Sequence, residues 1–253
     1  MTSSLSPVPP YDVLAVGYDL VMAHVDYASW AEHVEELFAR HDASPRTILE
    51  LGCGTGSLAL ELQPRGPYAY LATDGAGRMV QVARRKAALD KGSVTFAQAD
   101  FTDFSVQEPV DAVLLLYDGL NYLLGTKQIR VMLRCVWHAL TPGGIFIFDQ
   151  STPVNSEKNR DYFDDSGEQD GFRYERHSQY DAEQSLHTTT FRLFVQNKEY
   201  VEEHVQRAYT MTEVLACIDN SSFVVEGAYH GFSFDPASDA SERIHWVLRK
   251  PAD

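Results

Sequence analysis

Thr47-Ile48-Leu49-Glu50-Leu51-Gly52-Cys53-Gly54-Thr55-Gly56-Ser57-Leu58-Ala59 passes from an apolar run, acidic near its end, through glycine at every second position into helix formers. That order describes a buried strand, a sharp turn with no room for side chains, and a helix starting against a ligand. The alternation is Gly-x-Gly-x-Gly. In the dinucleotide fingerprint the third glycine falls one residue later, where this chain carries Ser57.

Outward from this stretch, strand and helix patterns alternate with short connections. Residues 26–42 have helical periodicity, with Trp30, Val34, Leu37 and Phe38 on one face. The strand 47–51 is followed by a helix at 57–63, a strand at 68–73 ending before Asp74, and a helix at 78–90. Strands follow at 94–97 and 110–116, then a helix at 128–140 stopped by Thr141-Pro142-Gly143-Gly144, then a strand at 145–149. This alternation predicts a doubly wound, mostly parallel α/β sheet. The pattern then changes. Residues 151–170 read as polar and turn-like, and 172–180, 185–195 and 200–209 read as three antiparallel strands joined at 181–184 and 196–199. A helix at 212–221 and strands at 223–229 and 243–249 close the chain. The expected division is 1–150 for an N-terminal cap and core, 151–210 for a β-meander lid, and 211–253 for the elements completing the core sheet.

The 253 residues and a hydrophobic fraction of 44% suffice for a sizeable core. No apolar run approaches the roughly 20 residues of a membrane helix. Residues 1–7 lack a basic and an apolar segment of a signal peptide and read as a short disordered tail. A formal net charge of −15 repels phosphate backbones and anionic lipid, which disfavours nucleic acid and membranes as partners. The three cysteines, Cys53, Cys135 and Cys217, form no close pair, as in a cytoplasmic protein with free thiols. No spacing of His, Cys, Asp and Glu reads as a metal site.

At the glycine loop the chain resembles motif I of the class I S-adenosylmethionine-dependent methyltransferases, (D/E)-x-G-x-G-x-G, with Glu50 as its acidic member. The resemblance covers about residues 47–149 and the closing strands, and it implies a seven-stranded Rossmann-like sheet. In such sheets ligands bind beyond the carboxyl ends of the strands. Glu50 there suits an ammonium group, Asp74 two ribose hydroxyls, and Asp100-Phe101 an exocyclic amine beside an aromatic face. The cofactor site so implied comprises Glu50, Gly52, Cys53, Gly54, Thr55, Gly56, Asp74, Gly75, Met79, Asp100, Phe101 and Tyr117. Tyr11-Asp12, Tyr18-Asp19-Leu20, Tyr27-x-x-Trp30 and the run from Leu116 to Leu123 are similar to the stand-alone branch of glycine, sarcosine and amino-sugar N-methyltransferases. In that branch a β-meander covers the active site and N-terminal aromatics cover the cofactor; Tyr18, Tyr27 and Trp30 take that place here, or pack the first helix on the sheet. No Asn/Asp-Pro-Pro-Tyr run follows the fourth strand, so the nucleic-acid amino-methyltransferase signature is missing.

The expected activity is methyl transfer from S-adenosylmethionine to a nitrogen, or an oxygen, of a small-molecule acceptor by in-line displacement, with a monomer or homodimer as the working unit. Alignment alone contributes about 7–11 kcal/mol to such a reaction. An amine acceptor need only be neutral, whereas a hydroxyl needs a general base. Asp118, Asn121 and Tyr122 are the acceptor-side candidates, with His204, and also His177 and His230, from the lid and the sixth strand. Two other readings stand beside this one. One is an NAD(P)-dependent oxidoreductase, disfavoured by Ser57, by a missing Tyr-x-x-x-Lys pair and by the lack of a basic residue next to the loop. The other is a binding protein that kept the pocket and lost turnover.

Overall fold

The computed structural model describes residues 6–90, 93–159 and 164–252. The chain opens with β1 (Ser6–Pro7), α1 (Tyr18–Val21) and α2 (Tyr27–Arg40). It then alternates through β2 (Thr47–Leu51), α3 (Ser57–Leu62), β3 (Ala69–Asp74), α4 (Gly77–Asp90), β4 (Thr95–Gln98), β5 (Val110–Leu115), α5 (Thr126–Ala139) and β6 (Leu140–Ser151). After α6 (Pro153–Lys158) come β7 (Asp165–Gln169), β8 (Phe172–Asp181), β9 (Leu186–Val195) and β10 (Lys198–Arg207). The closing elements are α7 (Met211–Asp219), β11 (Val224–His230) and β12 (Arg243–Arg249).

Seven strands make one sheet in the order β11-β12-β6-β5-β2-β3-β4. Only β12 runs against its neighbours; every other pair is parallel. This is the mostly parallel, doubly wound α/β sheet expected from the alternation. The central strands are buried on both faces, which is why residues 112–115 of β5 read as a continuous apolar run. On one face, Ile129, Met132 and Val136 of α5 and Val214 and Ile218 of α7 pack on Leu49, Leu51, Val113, Phe146 and Phe148. On the other, Trp30, Val34 and Leu37 of α2 and Leu58 and Leu62 of α3 cover Ile48, Ala72, Ala112, Leu114 and Ile147. Asp26 starts α2 by accepting the Ser29 N–H at 3.1 Å.

The segment expected as a lid forms a second sheet, β1-β10-β9-β8-β7, antiparallel except for β1 beside β10. Three expectations change here. Ser6–Pro7 are a paired strand rather than tail, while residues 1–5 lie outside the described residues. The stretch 151–170 contains α6 and β7. Thr152 caps α6 by accepting the Asn155 N–H, and Pro153 fits the first helical turn, so the Thr-Pro start signal outweighs the polar composition. β7 carries no apolar alternation because most of its residues are exposed on the lid's edge, and pairing with β8 holds it. The turn placed at 196–199 is only Gln196-Asn197, both left-handed (φ 51° and 61°), so β10 starts at Lys198.

The stop placed at 141–144 also differs. β6 starts directly after α5 and absorbs those residues, because Gly143 and Gly144 exchange backbone hydrogen bonds with Lys250. The Lys250 ammonium in turn donates to the Trp137 and Leu140 carbonyls at the end of α5 (2.8 and 2.6 Å).

The N-terminal segment couples lid to core. Leu14, Val21 and Met22 form a small apolar cluster with Phe172, Tyr174, Phe191 and Leu193 of the lid. Gly17 lies so close to β8 that a Cβ would sit 2.1 Å from the Phe172 ring.

Candidate active site

The carboxyl ends of β2, β3, β4 and β5 open onto one cavity of about 470 Å³, within the range of small-molecule sites. Gly52, Gly54 and Gly56 all have positive φ (64°, 55° and 77°), a conformation that leaves the turn bare of side chains. The first two, with Cys53 and Thr55, line the cavity. Gly56 does not. It sits behind the loop at the start of α3, where a Cβ would meet the Phe96 ring at 2.6 Å, so it serves packing and direction.

Asp74 closes β3 and accepts the Gly54 and Ala76 N–H groups, each at 2.8 Å, leaving lone pairs on both oxygens for a ligand. Burial raises its pKa although both N–H groups oppose the shift. Glu50 is 4% exposed and accepts the Tyr70 hydroxyl at 2.8 Å. Burial outweighs that bond and pushes Glu50 up to about 7. Burial likewise holds the Cys53 thiol well above its ordinary value, so it is a protonated space-filler.

Every other residue implied for the cofactor lines this cavity: Gly75, Met79, Asp100, Phe101 and Tyr117, with Tyr18, Tyr27 and Trp30 from the N-terminal side. Trp30 borders the cavity and also packs in the α2 layer at 6% exposure. Asp100 is exposed and accepts the Thr102 N–H and hydroxyl through one oxygen. One correction concerns charge at the loop. Lys86 of α4 reaches over it, donating to Ser57 Oγ at 2.7 Å and pairing with Asp19 at 2.8 Å. The helix crosses the loop some thirty residues later in sequence, which hid this contact. Asp19 neutralises the ammonium, and Lys86 is not in the cavity wall.

A second cavity of about 350 Å³ lies between the core and the lid. Tyr11, Tyr18, Tyr117 and Tyr122 belong to the walls of both. Consecutive residues Tyr117 and Asp118 are both left-handed (φ 65° each), a strained pair at the end of β5 that turns their side chains toward the cavities. Arg243 holds Asp118 with two bonds (2.7 and 3.1 Å) and also contacts the fully buried Asp149. Its guanidinium lies 5.5 Å from the Trp30 ring centroid and 5.6 Å from that of Tyr117.

Asn121 is 2% exposed, and its amide is spent on backbone: it donates to the Ser151 and Arg207 carbonyls and accepts the Ser151 N–H. It ties the turn after β5 to β6 and the lid. His204 is buried in the second cavity's wall and bonds Tyr122. His177 and His230 are exposed and line neither cavity, with His177 held by Asp164. Arg176, His187 and Arg243 also line the second cavity, and no local sequence pattern singles them out. Among the described residues no cluster of three or more metal-ligating side chains occurs, and no helix is long and apolar enough to cross a membrane.

Residues 48–144 match the family described as a methyltransferase domain. A protein of Geobacillus sp. (strain WCH70) with the name "Putative methyltransferase" is 25% identical over 95% of this chain and 99% of its own. The crystal structure of an S-adenosylmethionine-dependent methyltransferase from Clostridium acetobutylicum superposes with a TM-score of 0.79, at 22% identity over 93% of this chain and 96% of that one. The sugar N-methyltransferase KedS8 from Streptoalloteichus superposes at 0.70, with 20% identity over 91% and 92%. These two share the fold over nearly the whole chain. The chain thus carries a methyltransferase domain at residues 48–144 and shares its fold with S-adenosylmethionine-dependent methyltransferases, sugar N-methyltransferases among them.

Proposed function

We propose that the chain moves a methyl group from S-adenosylmethionine, held in the first cavity, to a nitrogen or oxygen of a small molecule held in the second. The observation that carries this reading is the shared wall: Tyr11, Tyr18, Tyr117 and Tyr122 border both cavities, so donor and acceptor meet at one neck. Glu50 takes the ammonium end, the Gly52–Gly54 turn the carboxylate and its neighbouring backbone, Asp74 the ribose and Asp100-Phe101 the adenine. Met79 and Trp30 supply apolar walls. Bound there, the cofactor supplies an electrophilic methyl group on a good leaving group. The protein's own part is to align the acceptor and exclude water, which the lid and the N-terminal tyrosines do by closing over the neck.

Asp118 and Tyr122 face the acceptor, and Asn121 is a positioning residue that fixes their turn. Nitrogen leads as the acceptor atom, in keeping with the fold shared with sugar N-methyltransferases. Three free cysteines support a cytoplasmic protein, and the charge of −15 supports action on a free small molecule rather than on nucleic acid or a membrane, as a monomer or homodimer.

Titration calorimetry with S-adenosylmethionine and with NAD tests the donor: binding of the first alone is expected, and binding of NAD alone overturns the reading. Incubation with methyl-labelled cofactor and a metabolite extract tests turnover. A labelled small molecule is expected; a protein that binds the cofactor and yields none is a binding protein instead.

A further inference from the structure

A line of buried hydrogen bonds runs from the neck into the lid. The Tyr11 and Tyr122 hydroxyls are joined by a short hydrogen bond. The Tyr122 hydroxyl lies 3.1 Å from His204 Nδ1, and His204 Nε2 lies 3.2 Å from a Glu202 oxygen. His204 is 3% and Glu202 0% exposed. Glu202 also accepts the backbone N–H groups of Tyr11 (2.7 Å), Val13 (2.7 Å) and Leu14 (2.9 Å). So many donors converging on one carboxyl suit its ionised form, which only accepts. Assigned from this network, the neutral imidazole carries its proton on Nε2, toward Glu202, and presents a bare Nδ1 to Tyr122.

We propose that Tyr122, His204 and Glu202 form a proton relay serving an acceptor whose reacting atom still carries a proton, a hydroxyl oxygen or an ammonium nitrogen. The proposal rests on the two-cavity reading above. The acceptor's proton passes to the Tyr122 oxygen while the Tyr122 proton passes to His204 Nδ1. The electron pair left on the acceptor atom forms the bond to the methyl carbon, and the pair of the broken carbon–sulfur bond stays on sulfur. His204 ends as an imidazolium beside the Glu202 carboxylate and later returns the proton to water. Tyr122 is the catalytic residue of the three, since it borders both cavities. Glu202, which acts through His204, is a positioning residue.

A hand-off is the form this chemistry takes because burial holds the Tyr122 hydroxyl far above its ordinary pKa, with the Asp118, Asp74 and Glu202 charges adding to that. No standing tyrosinate is then needed. From the other walls, Arg176, Arg207 and Arg243 line the cavity together with His24 and His187. Each arginine pairs with its own carboxylate, Asp165, Glu213 and Asp118 respectively, whereas Glu202 is the acid in contact with the imidazole. Phe191 packs its ring against His204 from β9, at a centroid separation of 5.3 Å.

Nitrogen-15 spectra of labelled histidine in the full chain, recorded across about pH 5 to 9, read the relay without any acceptor, with H204Q identifying the resonance. The expected neutral form of His204 has a bare Nδ1 and a protonated Nε2, and E202Q shifts the tautomer balance toward Nδ1. A wild-type neutral form protonated on Nδ1, or an unchanged tautomer balance in E202Q, overturns the relay. Calorimetry of the same samples separates the two levels: loss of the relay leaves S-adenosylmethionine binding intact, whereas absent binding to the wild-type chain sinks the donor reading itself. In the labelled-extract experiment, a methyl on a former hydroxyl or amine supports the relay and tells which atom it serves. A methyl on an atom that bore no proton, such as a tertiary amine or thioether, overturns it.

Discussion

The floor of the first cavity is made by residues that directly follow consecutive parallel strands, with N-terminal aromatics beside it, whereas the second gathers segments as distant as Tyr11 and Arg243. In the first, backbone does most of the shaping: bare glycine turns with positive φ and strand ends fixed by the sheet. In the second, long side chains do it, joined in a polar seam of Arg243, Asp118 and Asp149 and a lid held by its own small apolar cluster. A site built from strand ends inherits its geometry from the fold. One built across a core–lid seam depends on pairings that single substitutions undo.

The seam is therefore where the largest effect is expected. Arg243→Met leaves Asp118 and the fully exposure-free Asp149 without their cation, a loss of about 3–5 kcal/mol for a buried pair. At roughly 2–4 °C per kcal/mol for a chain of this size, the melting temperature falls on the order of 10 °C. A variant as stable as the wild type at pH 7.5 breaks the contrast between the cavities.

Gly54→Val attacks the first cavity instead. The residue is left-handed, and its Cβ would enter the space toward Tyr18, 3.5 Å away. A loss of S-adenosylmethionine affinity of about a hundredfold or more, near 3 kcal/mol, is expected by calorimetry. Asp74→Asn is milder. Charged hydrogen bonds are worth about 1.5–3 kcal/mol, so affinity falls about tenfold to a hundredfold, with the melting temperature moving far less than in Arg243→Met. If either variant binds the cofactor as the wild type does, the donor does not sit on this loop.

The same contrast governs what the sequence reveals. The strand, the glycine turn and Asp74 lie within 28 residues of each other and carry a local pattern, so much of the first cavity's lining is legible in the sequence. Gly56 is the instructive exception, because spacing alone cannot distinguish a glycine bared for a ligand from one pressed against Phe96. Lys86 shows the complementary limit: a cation remote in sequence is delivered to the loop by helix packing. The lid's β7 and α6 are obscure because an exposed edge strand and a six-residue helix need no apolar periodicity. Glu202 looks like one more surface acid in Lys198–Arg207, and only strand alternation in the folded lid turns it inward beside His204. Arg243 ends up beside Asp118 solely because β12 enters the sheet next to β6.

The smallest effect expected is a pH dependence seated in Glu50. Burial raises its pKa to about 7 in the free protein, while the ammonium it is proposed to meet favours the ionised form. Cofactor affinity is therefore expected to weaken as pH falls below 7, by at most about tenfold per unit for one group. Glu50→Gln removes the slope and holds affinity at the weak, acid-side level. The same carboxyl acts on the ligand-free fold with the opposite sense. Its folded pKa lies above the unfolded value, so its contribution to stability is complete in acid and is lost as pH rises toward 7. Glu50→Gln should thus flatten the pH dependence of the melting temperature while weakening cofactor binding at pH 7.5. A variant that loses binding with no change in either pH slope would place the ammonium elsewhere, and would leave Glu50 as a buried partner of Tyr70.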